Sequence, residues 1–344
     1  MSRFYKSLTS YISKAPGLSL IINSVGFLLI GGLLCWFLVT KYPSFFLAES
    51  INTRGLRLNQ DEYPLVNPLL LCNVDSKNFN KDQPLSDIIT NFINDHVSKG
   101  LLDRMSVYLI NYKTGKWVGV NENEKYDPAS MLKVPVMIAY YKNAENNQSI
   151  LSEKTSFIGD DQNVGEYFSS KNNIKSGKSY TIDELIKSMI ISSDNTAGVL
   201  LQNYIDRNSL LDVYTDLGLP IPNNGSNVEY ISAKLYAYFL RILYNGTYLD
   251  HKYSEKALEI LTKSQVSGIR NGVPKGTLVA EKFGERSVYD INRTLIDREL
   301  HDCGIVYKPN SSYLLCIMSR GKDFDVLMKN ISDLSTLVYE NIDN

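Results

Sequence analysis

Histidine and paired cysteine are scarce in this chain. Only His96, His251 and His301 occur among 344 residues, and no HExxH pattern is present. The four cysteines, Cys35, Cys72, Cys303 and Cys316, form no CxxC pair. Without such clusters a metal site is not expected, and no cofactor is expected either. An excess of charge is also missing: 36 Lys and Arg face 37 Asp and Glu. No basic run and no basic helix with interleaved aromatics stands out, which argues against a nucleic-acid partner. There is no internal repeat and no low-complexity segment. The chain is 44% hydrophobic and 21% charged, a balance that excludes disordered and fibrous classes.

One long uncharged run is present. Residues 18–39 read LSLIINSVGFLLIGGLLCWFLV. As a helix rising about 1.5 Å per residue, the run spans roughly 33 Å, enough for a hydrocarbon core. A cleaved signal would be shorter and end at a small-x-small site, whereas this run ends in Phe-Leu-Val-Thr-Lys. A lipoprotein signal at Cys35 fits poorly, because Leu-Leu precedes it. An uncleaved transmembrane anchor is therefore expected. Arg3, Lys6 and Lys14 precede it, which places the N-terminus in the cytoplasm and the rest outside the cell membrane. Lys41 alone opposes this weakly. In such a compartment Cys303 and Cys316 could pair. Two buried thiols on neighbouring strands are an equal alternative.

The chain divides into a tail (1–17), the anchor (18–39), a proline-punctuated linker (40–84) and a domain (85–344). Residues 86–97 carry Ile88, Ile89, Phe92, Ile93 and Val97 at helical spacing. Two short apolar runs around a glycine turn, 106–112 and 117–120, predict a hairpin. Residues 130–142 and 233–244 read as helices. Thr181 and Glu184 form a capping box before a helix over 185–191. Segments 278–280, 303–307 and 313–318 read as strands, and a last helix covers 324–340. The order is helix, two strands, many helices, three strands, helix. It predicts an α+β fold: an antiparallel sheet built from both ends of the domain, flanked by helices in three layers, with an inserted helical region.

Three short motifs carry chemistry. Ser130-Met-Leu-Lys133 places an amine one helical turn from a hydroxyl. A serine is a poor nucleophile until a base takes its proton, and a lysine serves as that base only when burial or nearby positive charge lowers its pKa. Ser193-Asp194-Asn195 follows the apolar Met189-Ile-Ile. Asp and Asn compete for backbone groups, so this segment suggests a helix break that turns polar side chains into a cleft. Lys282-Phe283-Gly284-Glu285 ends a strand-like stretch. A lysine there can bind a carboxylate, and the glycine lets substrate backbone lie close. Taken singly, each has an ordinary reading: a solvated helix face, a turn between helices, a strand end.

Taken together and in this order, the motifs resemble those of the class A β-lactamase and penicillin-binding serine hydrolase superfamily, over about residues 85–344. The segments Asn67-Pro-Leu-Leu-Leu-Cys72, 130–139, 243–249 and 301–307 are similar to a divergent membrane-anchored branch of it. The resemblance implies that Ser130 attacks a carbonyl and becomes acylated, and that Lys133 is the base or part of the proton relay. Ser193 would protonate the departing nitrogen. Asn195 would hold Lys133 and the substrate side-chain amide. Lys282 would bind the substrate carboxylate. The N–H groups of Ser130 and Glu285 would form the oxyanion hole.

Two departures stand out. Phe283 replaces the usual Thr or Ser, so carboxylate recognition is weaker or falls to another group such as Arg320. The loop glutamate that activates the deacylating water also has no clear counterpart. Glu229 is the only carboxylate in the shortened 217–232 segment and no ExxxN follows it. Glu166 precedes Ser193, the wrong chain order for that role. Three functions remain open: hydrolysis of β-lactam amides, a D-alanyl or other cell-envelope peptidase or esterase activity with slow β-lactam turnover, and an inactive binding domain.

Overall fold

The structure, a computed structural model, describes residues 31, 32, 37, 62–68, 80–163, 165–168, 173–222 and 229–342. The chain falls into two units, Met1–Thr53 and Arg54–Asn344. The uncharged run at 18–39 lies outside the described residues except for Gly31, Gly32 and Phe37. Among the described residues, no helix is long and apolar enough to cross a membrane.

The second unit is built on a five-stranded antiparallel sheet in the order β2-β1-β9-β8-β7. Its strands are β1 (Arg104–Asn111), β2 (Trp117–Val120), β7 (Leu278–Tyr289), β8 (Leu295–Tyr307) and β9 (Tyr313–Gly321). Strand alternation supplies two apolar faces. On β9, Leu314, Cys316 and Met318 pack into one core and Leu315, Ile317 and Tyr313 into the other. Helices α1 (Gln83–Ser98) and α8 (Phe324–Asn341) cover the second face through Leu85, Ile89, Ile93, Leu327 and Ile331. Between the two sequence halves of the sheet lie α2 (Lys133–Asn146), α3 (Ile182–Ile191), α4 (Asn195–Tyr204), α5 (Arg207–Asp216), α6 (Ala233–Asn245) and α7 (His251–Leu261). These helices bury the first face. The minor strand pairs are β3 (Lys125–Tyr126) with β6 (Ile231–Ser232), and β4 (Lys154–Phe157) with β5 (Lys178–Thr181). The α+β arrangement expected from the element order, an antiparallel sheet from both ends of the domain with a helical region inserted, is therefore the one observed.

Helix α2 is apolar around most of its circumference, as a helix enclosed by others must be. Val134, Val136, Met137, Ile138, Ala139, Tyr140 and Tyr141 are all buried. Helix α3 starts with the anticipated capping box: Thr181 accepts from the Glu184 N–H, and the Glu184 carboxylate accepts from Thr181. Such a cap stabilises a helix by about 1 kcal/mol.

One detail departs from the sequence reading, and two others add to it. Strands β7 and β8 run well beyond the apolar segments that announced them. Their extra length carries Glu281, Lys282, Glu285, Arg286, Arg298 and Glu299, charges that hide a strand until cross-strand partners are known. Leu65 and Val66, within the stretch read as linker, are buried in the core, and their N–H groups donate to the Glu255 carboxylate. Cys303 and Cys316 sit opposite each other in the β8–β9 register and form a disulfide.

Candidate active site

Ser130 lies in a 3-10 turn, Ala129–Leu132, that leads straight into α2. Its neighbour Ala129 has φ 50°, a left-handed conformation that a residue with a Cβ rarely adopts. The surroundings hold it there. Asp127 Oδ1 accepts from the Ala129 N–H at 2.9 Å, and Arg286 donates to Asp127 Oδ2 at 2.6 Å. Tyr236 donates its hydroxyl to the Met131 carbonyl at 2.9 Å. The buried His301 ring adds a further tie. Its Nδ1 accepts from the Ser319 N–H at 3.2 Å, so Nε2 carries the hydrogen and donates to the Asp127 carbonyl at 3.0 Å. Burial pushes the His301 pKa down to about 4.

Ser193 also lies in the left-handed region, with φ 54°. It ends the turn between α3 and α4, and the fully buried Asp194 organises that turn. Asp194 caps α4 by accepting from the N–H groups of Thr196 and Ala197. It also accepts from Asn163 Nδ2 at 2.9 Å, Ile174 N at 2.8 Å and Ser188 Oγ at 2.9 Å. This strain, held by a satisfied buried carboxylate, aims Ser193 and Asn195 away from the core.

The two motifs meet at Lys133. Its Nζ is 2.9 Å from Ser130 Oγ, 3.1 Å from Ser193 Oγ, 2.6 Å from the Ser193 carbonyl and 2.6 Å from Asn195 Oδ1. The third motif joins through Lys282, whose Nζ donates to Ser193 Oγ at 2.9 Å. One continuous chain of polar atoms therefore links Ser130, Lys133, Ser193 and Lys282. Burial lowers the Lys133 pKa to about 8, against the opposing pull of Glu166, Asp194 and Glu285. Burial, and then the Lys133 charge, drives Lys282 well below the ordinary lysine range. An amine that reaches neutrality near physiological pH can accept a proton.

Strand β7 approaches the Ser130 turn at Gly284. A Cβ on Gly284 would lie 2.5 Å from the Pro128 carbonyl oxygen and 3.0 Å from Met131 Cγ. The glycine therefore makes room for the chain's own serine turn. Phe283 is buried, and its ring centroid lies 4.1 Å from Lys282 Nζ. A π-face takes the place of a hydroxyl beside the lysine. Phe168 packs edge-on against Phe283, and the N–H groups of Tyr167 and Phe168 donate to the Glu285 carboxylate at 3.1 and 3.0 Å.

Two candidates from the sequence are engaged elsewhere. Glu229 is ion-paired with Arg104 and Arg320, each at 2.8 Å. Arg320, suggested as a substitute carboxylate binder, also donates to Asp297 at 2.9 Å. Sequence reasoning set aside Glu166, yet it lies in the site: Asn195 Nδ2 donates to Glu166 Oε1 at 2.7 Å. Chain order gave no signal for this, because a loop ahead of α3 carries Glu166 to the cleft. Burial and the Glu166 carboxyl together raise the Glu285 pKa to about 7.

A family profile described as "Beta-lactamase enzyme family" matches residues 84–342. The chain belongs to the beta-lactamase enzyme family. Solved structures agree on the fold. PBP-A superposes with a TM-score of 0.65 at 20% identity, over 77% of this chain and 98% of that one. A class A beta-lactamase from Mycobacterium abscessus gives 0.60 at 18% identity, over 76% and 100%. A beta-lactamase from Burkholderia phymatum gives 0.61 at 18%, over 75% and 98%. No curated protein sequence matches the chain. As a member of this family, the chain assembles the three motifs on a fold it shares with both penicillin-binding proteins and beta-lactamases.

Proposed function

We propose that this member of the beta-lactamase family is a membrane-anchored serine hydrolase that opens β-lactam amides through an acyl-enzyme on Ser130. One observation carries the reading: Lys133 Nζ lies 2.9 Å from Ser130 Oγ, while Lys282 Nζ lies 2.9 Å from Ser193 Oγ. With Lys133 neutral, the Ser130 hydroxyl donates to the amine lone pair, and the amine donates to Ser193 O and Asn195 Oδ1. Oγ attacks the carbonyl carbon as its proton passes to Lys133. The N–H groups of Ser130 and Glu285 receive the charge that builds on the carbonyl oxygen. When the C–N bond breaks, the nitrogen takes the Ser193 hydroxyl proton, and the Lys133 ammonium replaces it. Asn195 steadies Lys133 and the substrate amide; Lys282 attracts the substrate carboxylate and polarises Ser193.

A second reading is a D-alanyl peptidase or another cell-envelope peptidase or esterase. The engagement of Glu229 by two arginines favours it, because that carboxylate is not free to activate a deacylating water. The uncharged run at 18–39 behind Arg3, Lys6 and Lys14 supports an anchor with the domain outside the cytoplasm, and the Cys303–Cys316 disulfide fits an oxidising compartment.

The full-length chain in detergent, incubated with a fluorescent penicillin and a chromogenic cephalosporin, tests these readings by intact mass and absorbance. Sustained turnover supports the first. A stable adduct on Ser130 supports the second. Labelling that persists in Ser130→Ala would overturn both.

A further inference from the structure

The reading of Ser130 as acyl acceptor asks Asn195 to donate its amide hydrogens to a carbonyl oxygen on the acyl side of the substrate. Both hydrogens of that amide are already engaged. Asn195 Nδ2 donates to Glu166 Oε1 at 2.7 Å and, more weakly, to the Gln162 carbonyl at 3.4 Å. The same glutamate lies near enough to Glu285 to raise the Glu285 pKa, second to burial. Glu166 therefore occupies the Asn195 donor that the acyl-side carbonyl would need.

The neighbouring backbone keeps it there. Tyr167 N and Phe168 N donate to the Glu285 carboxylate. Phe168 packs on Phe283, and the Tyr167 hydroxyl donates to Asp325 at 2.7 Å. The backbone beside Glu166 is thus tied to β7 and α8. The charges facing it are Glu285 and Lys282 on β7, with Lys133 on α2. A neutral acyl group must displace Glu166 from Asn195 and offer it no donor in return. An ammonium on the carbon next to the amide carbonyl changes that balance. It provides a charge-assisted partner for Glu166 within about 3 Å of the Asn195 position, and Asn195 is released to donate to the substrate carbonyl.

We propose that Glu166 is a specificity-determining residue, selecting acyl donors that carry an ammonium group on the acyl side and holding back those that do not. The inference rests on the Ser130 acyl-enzyme reading and narrows its substrate class to cationic acyl groups.

Benzylpenicillin and α-aminobenzylpenicillin differ only by this amine, and at pH 6 the amine is protonated. The second-order rate of Ser130 acylation is measured for both, with the full-length chain and its Glu166→Ala and Glu166→Gln variants. Thermal melts verify that each variant is folded. The native chain is expected to favour the amino compound by about tenfold or more. In Glu166→Ala the benzylpenicillin rate should rise about tenfold, and the preference should shrink to within about threefold. Glu166→Gln, which keeps the shape and loses the charge, should also lose the preference. Equal rates in the native chain would overturn the inference while leaving the Ser130 reading intact. So would a preference that survives both substitutions. If neither compound acylates any form of the protein, the Ser130 reading fails and the inference fails with it.

Discussion

Lys282 Nζ lies 2.9 Å from Ser193 Oγ, although 89 residues separate them in the chain. Lys133 approaches the same oxygen from the other side at 3.1 Å. Once Lys133 has taken the Ser130 proton, both lysines can donate to the Ser193 oxygen, and its own hydrogen is left for the cleft. That is the arrangement needed to hand a proton to a departing nitrogen. The mutual repulsion of two ammonium groups also helps to hold Lys282 below its ordinary pKa.

The first prediction concerns pH. Acylation needs Lys133 neutral, and its pKa is lowered to about 8. The amine loses its proton as pH rises, so the acylation rate should climb toward pH 8 and level off above it. Below that, each pH unit should cost about tenfold. Lys133→Arg, which stays charged, should abolish the rise. A rate independent of pH between 6 and 8 would refute Lys133 as base.

Gly284→Ala tests the approach of β7 to the Ser130 turn. The new Cβ would sit 2.5 Å from a backbone carbonyl, that of Pro128, so strand or turn must shift. Overpacking of this kind costs about 1–3 kcal/mol. Denaturant melts should show that loss, and Ser130 labelling should slow more than tenfold. A variant as stable and reactive as the native chain would show the contact to be soft.

His301 should make the fold acid-sensitive in a defined window. Its folded pKa is depressed to about 4 from 6.5, chiefly by burial. The unfolded chain therefore gains a proton before the native state does. The contribution is fully present above pH 6.5 and is lost as pH falls toward 4, to a total of roughly 3 kcal/mol. Several buried carboxyls shift in the opposite sense, so the useful quantity is the stability difference between the native chain and His301→Gln, followed by urea titration. That difference should narrow as pH drops through the window.

Glu229→Gln separates deacylation from architecture. Because the carboxylate is committed to Arg104 and Arg320, the lifetime of the Ser130 adduct should stay within about twofold of the native value. The melting temperature should fall, since two guanidinium groups lose a charged acceptor. An adduct that becomes much longer-lived would instead make Glu229 the deacylation base.

The chain's local patterns were enough to establish the element order, the α3 capping box and the three motifs. Period-2 and period-3.6 apolar spacing and short polar spacings need no knowledge of distant partners. The charged ends of β7 and β8 were illegible for the opposite reason. Glu281, Lys282, Arg286 and Glu299 look like loop residues until their distant partners are known: Arg270, Ser193, Asp127, and Arg104 with Arg320. Likewise, SxxK announced Ser130 and Lys133. Only the folded chain revealed that Asp127, Arg286 and His301 clamp the turn beneath them, across sequence separations of 159 and 174 residues. Glu166 is the clearest case. Its place in the chain argued only against the role of deacylation base, and the loop that seats it on Asn195 is held by contacts to Glu285, Phe283 and Asp325. A one-dimensional pattern cannot encode where a loop closes; that is decided by which distant surfaces its backbone N–H groups and aromatic rings satisfy once the sheet and helices are packed.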